Sequence, residues 1–306
     1  MNVSYFLQDK TIHALKDIDL TLKKGESIGF AGESGCGKTT LASAIMRTIS
    51  PPGRLLNGKI ILDDEIITEL SDDLFNSKIR WKKISMIFQG AMNSLDPVYT
   101  IKNQIYTLLK DKTKNIDVKK IINTIESVGL NSSILNKFPH ELSGGMKQRV
   151  IIAMSLLLNP EIIIADEPTT ALDVLVQAQI INLLQKLKQE QNISILLITH
   201  DIALISELVD KICIMYSGQI IEFREVKDII NNPKHPYTQM LISSIPMINN
   251  TSNIRDDVQI YDNKISLPSN FIGCQFIKNC QHAMDVCNKE PPKIKTDNGY
   301  VKCWLY

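Results

Sequence analysis

Eight consecutive residues, Gly32-Glu33-Ser34-Gly35-Cys36-Gly37-Lys38-Thr39, fit the pattern of a loop that cradles phosphate. Glycines at these positions let backbone N–H groups converge on phosphate oxygens, and the positive end of a following helix adds to the attraction. Lys38 would reach the β- and γ-phosphates of a nucleoside triphosphate, and the Thr39 hydroxyl would ligate magnesium, with Thr40 beside it. A plain glycine turn is the competing reading, but the apolar run before the loop and the helical pattern after it argue against that. A second feature is Ile162-Ile163-Ile164-Ala165-Asp166-Glu167. An acid ending a buried strand is costly unless it meets a cation or hydrogen-bond donors. Asp166 is placed to hold magnesium, and Glu167 to polarise an attacking water as general base. Strands often end in solvated acids, so the pair gains its meaning from the phosphate loop.

These groups need elements to hold them. Residues 12–15 and 18–22 alternate like antiparallel strands, with Lys24-Gly25 as a turn. Residues 27–31 read as a buried strand entering the phosphate loop. A helix is expected over 40–49, stopped by Pro51-Pro52-Gly53. Residues 59–62 and 65–68 suggest a hairpin around Asp63-Asp64, and 101–158 is mainly helical. Two fully apolar strands, 162–165 and 193–198, flank a helical stretch over 176–189. Apolar strands separated by a helix imply a parallel sheet covered on both faces, and so an α/β fold. Residues 211–223 look like a closing hairpin with Ser217-Gly218 at its tip. Beyond about residue 231 periodicity fades, which predicts a nucleotide-binding domain over 1–230 and an extension over 231–306.

Lys and Arg number 34 against 33 Asp and Glu, a net charge of +1 in 306 residues. No basic excess draws the chain to nucleic acid. The N-terminus lacks the parts of a signal peptide, and the longest apolar run, near 150–158, is too short to cross a bilayer. A soluble chain is expected, with any membrane role supplied by a partner. Of six cysteines, Cys36 and Cys213 read as small packed residues, while Cys274, Cys280, Cys287 and Cys303 crowd the end. Without a secretory signal, disulfides are the weaker reading of that cluster and metal ligation the stronger one. The spacing C-x5-C-x6-C-x15-C is not the tight pairing of common zinc ribbons, so it names no metal.

The segment Leu142-Ser143-Gly144-Gly145-Met146-Lys147-Gln148-Arg149 resembles the signature of ABC (ATP-binding cassette) ATPases. The other motifs of that family follow in order: Gln89 at the Q-loop, Thr170-Ala171-Leu172-Asp173 at the D-loop, and Thr199-His200-Asp201 at the switch histidine. The resemblance covers about residues 1–230. It implies a phosphate-loop cassette with a mixed sheet, an antiparallel β subdomain and a helical subdomain over about 90–155. It also implies that two cassettes face each other, with ATP and Mg2+ between one phosphate loop and the other subunit's Ser143, Gly144, Gly145 and Met146. Asp166, Thr39 and Gln89 would then serve magnesium, His200 would orient water with Glu167, and Asp173 would bridge the subunits. Met146 stands where the commonest signature has Gln. Tyr5 and Phe6 are both candidates to stack on adenine, and a packing role suits either equally.

The tail Asn232-Pro233-Lys234-His235-Pro236-Tyr237-Thr238 and the late cysteines resemble the ATPases of oligopeptide and dipeptide importers, a branch that includes nickel importers. His235 is a candidate ligand or sensor, though a turn histidine beside Pro236 is the plainer reading. The resemblance favours a [4Fe–4S] cluster on Cys274, Cys280, Cys287 and Cys303, with zinc as the alternative. Two disulfides or free thiols remain open. It further implies a related but distinct second ATPase subunit, two transmembrane permease subunits and an extracytoplasmic binding protein. The chain would then sit at the cytoplasmic face of the membrane. Peptide uptake is the first reading, and nickel or another small solute the second. Chromosome-organising relatives need long heptad arms and translation-factor relatives need two cassettes, and the sequence has neither.

Overall fold

The computed structural model of the chain describes residues 1–113, 115–244 and 271–306. Two compact units emerge, one from residues 1–21, 28–58 and 200–306, the other from 22–27 and 59–199.

In the first unit the strand Ser27–Ala31 is buried along its whole length and runs parallel to Lys211–Tyr216, with Ile28 opposite Lys211 and Ala31 opposite Ile214. Apolar residues on both faces suit a strand covered on both sides. Lys211–Tyr216 turns back into Gln219–Glu225 through Ser217 and Gly218, both at positive φ (46° and 79°). That is the backbone a two-residue hairpin turn needs to match strand twist. A second sheet has Asn2–Phe6 between Thr11–Leu15 and Gly53–Asn57.

Two expectations change here. The partner of Thr11–Leu15 is Asn2–Phe6, and residues 18–22 form no strand. Asp17, at φ 48°, turns the chain away, and reciprocal bonds between Asn2 and Asp17 (2.7 and 3.0 Å) hold that turn. The helix after the phosphate loop is Lys38–Ile45, shorter than expected, because Arg47 at φ 52° breaks it before the prolines arrive. The tail also contributes more structure than its fading periodicity suggested. It carries a helix, Pro236–Ser243, and a hairpin of Lys293–Thr296 with Gly299–Lys302. The second arm of that hairpin pairs with Gln219–Glu225, placing Val301 opposite Glu222 and Tyr300 opposite Phe223. A Cβ on Gly299 would collide with the Phe223 carbonyl, so only glycine permits this pairing.

In the second unit Ile162–Asp166 lies between parallel neighbours Ile84–Ile87 and Ser194–Ile198. The crossover helix is Val174–Gln191. The hairpin Ile61–Leu62 with Glu65–Ile66 turns at Asp63 and Asp64, both left-handed, as the sequence suggested. The helical part comprises Ile101–Lys110, Val118–Ser127 and Gly144–Leu156. Thr100, Asp117 and Ser143 cap these three helices with side-chain oxygens, each satisfying backbone donors that a helix start leaves open. Among the described residues no helix is long and apolar enough to cross a membrane.

Candidate functional site

The phosphate loop follows Ala31 directly. Gly32, Gly35 and Gly37 have φ of 145°, 80° and 106°, values that residues with a Cβ rarely adopt. Gly37 also passes the Ala14 carbonyl, which a Cβ would approach to 2.6 Å. Lys38 is buried, and its ammonium donates to the carbonyls of Gly32 (2.7 Å) and Glu33 (2.8 Å). Ser34, Gly35 and Thr39 are exposed, so the rim of the loop faces outward while its lysine is anchored beneath. Cys36 is buried, and desolvation raises its thiol pKa despite the opposing charge of Lys38, in keeping with a packed rather than reactive thiol. His200 is exposed just before the helix Ile202–Leu208, which Asp201 caps. The Tyr5 ring lies against Gly53, whereas Phe6 is 44% exposed.

The second unit carries the acids. Asp166 ends its strand only 1% exposed. Glu167 bends away in a left-handed conformation, φ 48°, and its N–H donates to the Ile198 carbonyl at 2.8 Å. Its carboxylate oxygen Oε2 accepts from Gln89 Nε2 (2.8 Å) and from the Thr170 hydroxyl (2.9 Å). Two donors on one oxygen fix the orientation of the carboxylate. The fold thus joins Gln89, Glu167 and Thr170, a grouping that sequence order alone did not reveal. Ser143 caps Gly144–Leu156 by accepting from Met146 N–H at 3.3 Å. Ser143 and Gly144 are exposed, and a Cβ on Gly145 would come within 2.9 Å of Val176. Asp173 caps Val174–Gln191 through Val176 N–H (3.0 Å), beside the exposed Val174 and Leu175.

In the first unit Cys274, Cys280, Cys287 and Cys303 line one small cavity together with His235. None of the four is in a disulfide. Burial pushes the Cys274 thiol up to about 11, and raises Cys280 and Cys303 as well. Among the described residues no group of three or more His, Cys, Asp or Glu side chains is placed to hold a single metal ion. The zinc alternative therefore gains no support. A cluster with one iron per thiolate makes a different demand: its ligands surround a volume instead of meeting at a point. The four thiols line one cavity.

His235 is 2% exposed. Its backbone N–H donates to Glu222 Oε2 (2.9 Å), and its ring Nδ1 accepts from Tyr237 N–H (3.0 Å), capping Pro236–Ser243. Burial lowers its pKa to about 4, so the ring is neutral at physiological pH with its proton on Nε2. The plainer expectation, a histidine that shapes a turn, agrees with this geometry.

A glycine-rich loop opening a helix, and an acid pair closing a buried strand beside a glutamine, define a nucleotide-hydrolysing cassette. A match to the family described as ABC transporter spans residues 15–170, and one to the oligopeptide/dipeptide transporter C-terminal region spans 221–287. The oligopeptide transport ATP-binding protein AppD of Bacillus subtilis is 40% identical over 99% of this chain and 94% of its own. OppD of Lactococcus lactis subsp. cremoris, also an oligopeptide transport ATP-binding protein, is 40% identical over 85% of this chain and 77% of its own. Among solved structures, the dimeric post-hydrolysis cassette MJ0796 with ADP and Pi superposes with a TM-score of 0.64. That match has 30% identity over 74% of this chain and 96% of the other. The chain belongs to the ABC transporter family, and its reaction is ATP hydrolysis.

Proposed function

We propose that this chain is one of two cassettes that close on ATP and Mg2+ and drive peptides inward through a pair of membrane permease subunits. The observation that carries this reading is similarity along nearly the whole chain to oligopeptide and dipeptide transport ATP-binding proteins, tail included. Residues Gly32 to Thr40 hold the phosphates by backbone N–H groups, Lys38 and Thr39. Asp166, Gln89 and Thr39 serve magnesium, directly or through water. Glu167 takes the proton of the attacking water, and His200 helps position that water and the γ-phosphate. The exposed start of Gly144–Leu156, with Ser143, Gly145 and Met146, grips the γ-phosphate held by a partner cassette. Asp173 lies at that junction, and Tyr5 is the aromatic that meets adenine. A distinct second ATPase, a periplasmic or surface binding protein and attachment at the cytoplasmic membrane face complete the assembly.

Replacing Glu167 with Gln keeps the amide of the side chain within reach of Gln89 and Thr170 but removes the base. Hydrolysis should fall about a hundred- to a thousandfold while ATP binding persists and trapped pairs accumulate. Normal turnover in that variant would remove Glu167 from the role of base.

The four late cysteines hold a [4Fe–4S] cluster in this reading. Bound iron would supply the crosslink that ties a short, core-poor segment together. Because thiols must lose protons to bind iron and burial resists that loss, assembly should release protons and favour higher pH. Protein purified without oxygen should contain about four irons and four sulfides per chain. Iron-free protein with an unchanged fold would refute the cluster and leave the ATPase reading intact.

A further inference from the structure

The helix Pro236–Ser243 reaches back to the phosphate loop. Tyr237, fully buried, accepts a hydrogen bond on its hydroxyl from the backbone N–H of Glu33 at 2.9 Å. That N–H belongs to the same peptide group as the Gly32 carbonyl, because a peptide plane contains the carbonyl of one residue and the N–H of the next. The Gly32 carbonyl in turn accepts from Lys38 Nζ at 2.7 Å. One rigid plane is thus held at both ends: by the lysine that meets phosphate, and by a tyrosine from the tail. Rotating the plane would break both bonds together.

The tyrosine is itself firmly placed. Its ring meets Tyr216 edge-on (4.7 Å between centroids) and Phe276 (5.4 Å), and Phe276 follows Cys274 by two residues. The turn leading into its helix is clamped by Glu222, whose carboxylate accepts from the N–H groups of Lys234 and His235, each at 2.9 Å. Arg224, paired with Glu222, donates to the Asn232 carbonyl at 2.7 Å. Nothing in this arrangement is needed merely to fill space with an aromatic ring, since phenylalanine would fill it too. The hydroxyl is the part that addresses the loop.

We propose that Tyr237 is a positioning residue for nucleotide: its hydroxyl sets the Gly32–Glu33 peptide, and through it the Lys38 ammonium that meets the phosphates. The proposal rests on the reading of Gly32 to Thr40 as the nucleotide site. It assigns to the tail of the chain a part in binding ATP, separate from any part in holding a cluster.

The test compares the full-length chain with Tyr237→Phe, which keeps the ring and deletes only the oxygen. Affinity for ATP, measured by calorimetry, should weaken about fivefold, and KM for ATP should rise in parallel while kcat stays within about twofold. A role confined to packing would leave that split absent. Amide exchange over residues 32–36 gives a second readout, in which the Glu33 N–H should exchange about tenfold faster in the variant. Unchanged affinity together with unchanged exchange would overturn the proposal, as would a fall in kcat and stability with affinity intact. If the unmodified chain bound no nucleotide, the reading of the site itself would fall, a result readily told apart from normal binding by both chains.

Discussion

Two glycine-bearing loops carry the chemistry in the proposed reading, and they are built in opposite ways. The phosphate loop is braced from inside: Lys38 is buried against two carbonyls, three glycines accept left-handed backbone, and a tyrosine hydroxyl secures its first peptide. The signature loop is capped by the Ser143 hydroxyl and leaves Ser143 and Gly144 open to solvent. In the proposed reading the difference follows from where each loop finds its ligand. A loop that binds phosphate by itself gains from being fixed beforehand, since every bond made in advance lowers the ordering cost of binding. A loop that meets phosphate only on another subunit must stay accessible until that subunit arrives.

Lys38→Ala is the sharpest way to break this contrast. Removing a buried ammonium held by two carbonyls should both loosen the loop and delete the phosphate contact. Nucleotide affinity of the single chain should drop about a hundredfold in a direct titration; a loss under threefold would mean the loop is not braced through its lysine. Ser143→Ala should act differently. It removes a cap worth about 1 kcal/mol of stability and the hydroxyl offered to the partner's nucleotide. Hydrolysis by the assembled pair should fall about tenfold, while the single chain binds ATP within about twofold of normal. If single-chain affinity fell as far as hydrolysis, the two loops would not differ in the way the structure suggests.

The parts of the molecule legible in the sequence are those whose meaning is local. Gly32 to Thr39, the Asp166-Glu167 pair and Leu142 to Arg149 are contiguous, and each lies at the end of a strand or the start of a helix as its residues suggested. The hairpin at Ser217-Gly218 was equally plain, because its turn chemistry is carried by two adjacent residues. What escaped depends on distance along the chain. The bond from Gln89 to Glu167 spans 78 residues, and that from Glu33 to Tyr237 spans 204. No periodicity records such a pairing. The strands Lys293–Thr296 and Gly299–Lys302 escaped for another reason: four residues each, one alternating lysine with Ile294 and Thr296 and the other not alternating, are too few to establish a period. Residues 18–22 show the converse error, an alternation without a strand, because the Asp17 turn fixed by Asn2 decides the path there.

The hairpin that pairs with Gln219–Glu225 has a consequence for how the protein is made. The first unit collects its pieces from residues 1–21, 28–58 and 200–306, whereas the second is nearly one continuous stretch. A ribosome that has delivered the phosphate loop must therefore translate the whole second unit before it supplies Lys211–Tyr216, the parallel neighbour of Ser27–Ala31. It must then run on to residue 302 before the strand at the rim of Gln219–Glu225 exists. The nascent phosphate loop waits through most of synthesis with its supporting strands unmade, while the interposed unit is free to fold first. Termination defects or premature stops would fall hardest on the half of the protein that was begun earliest.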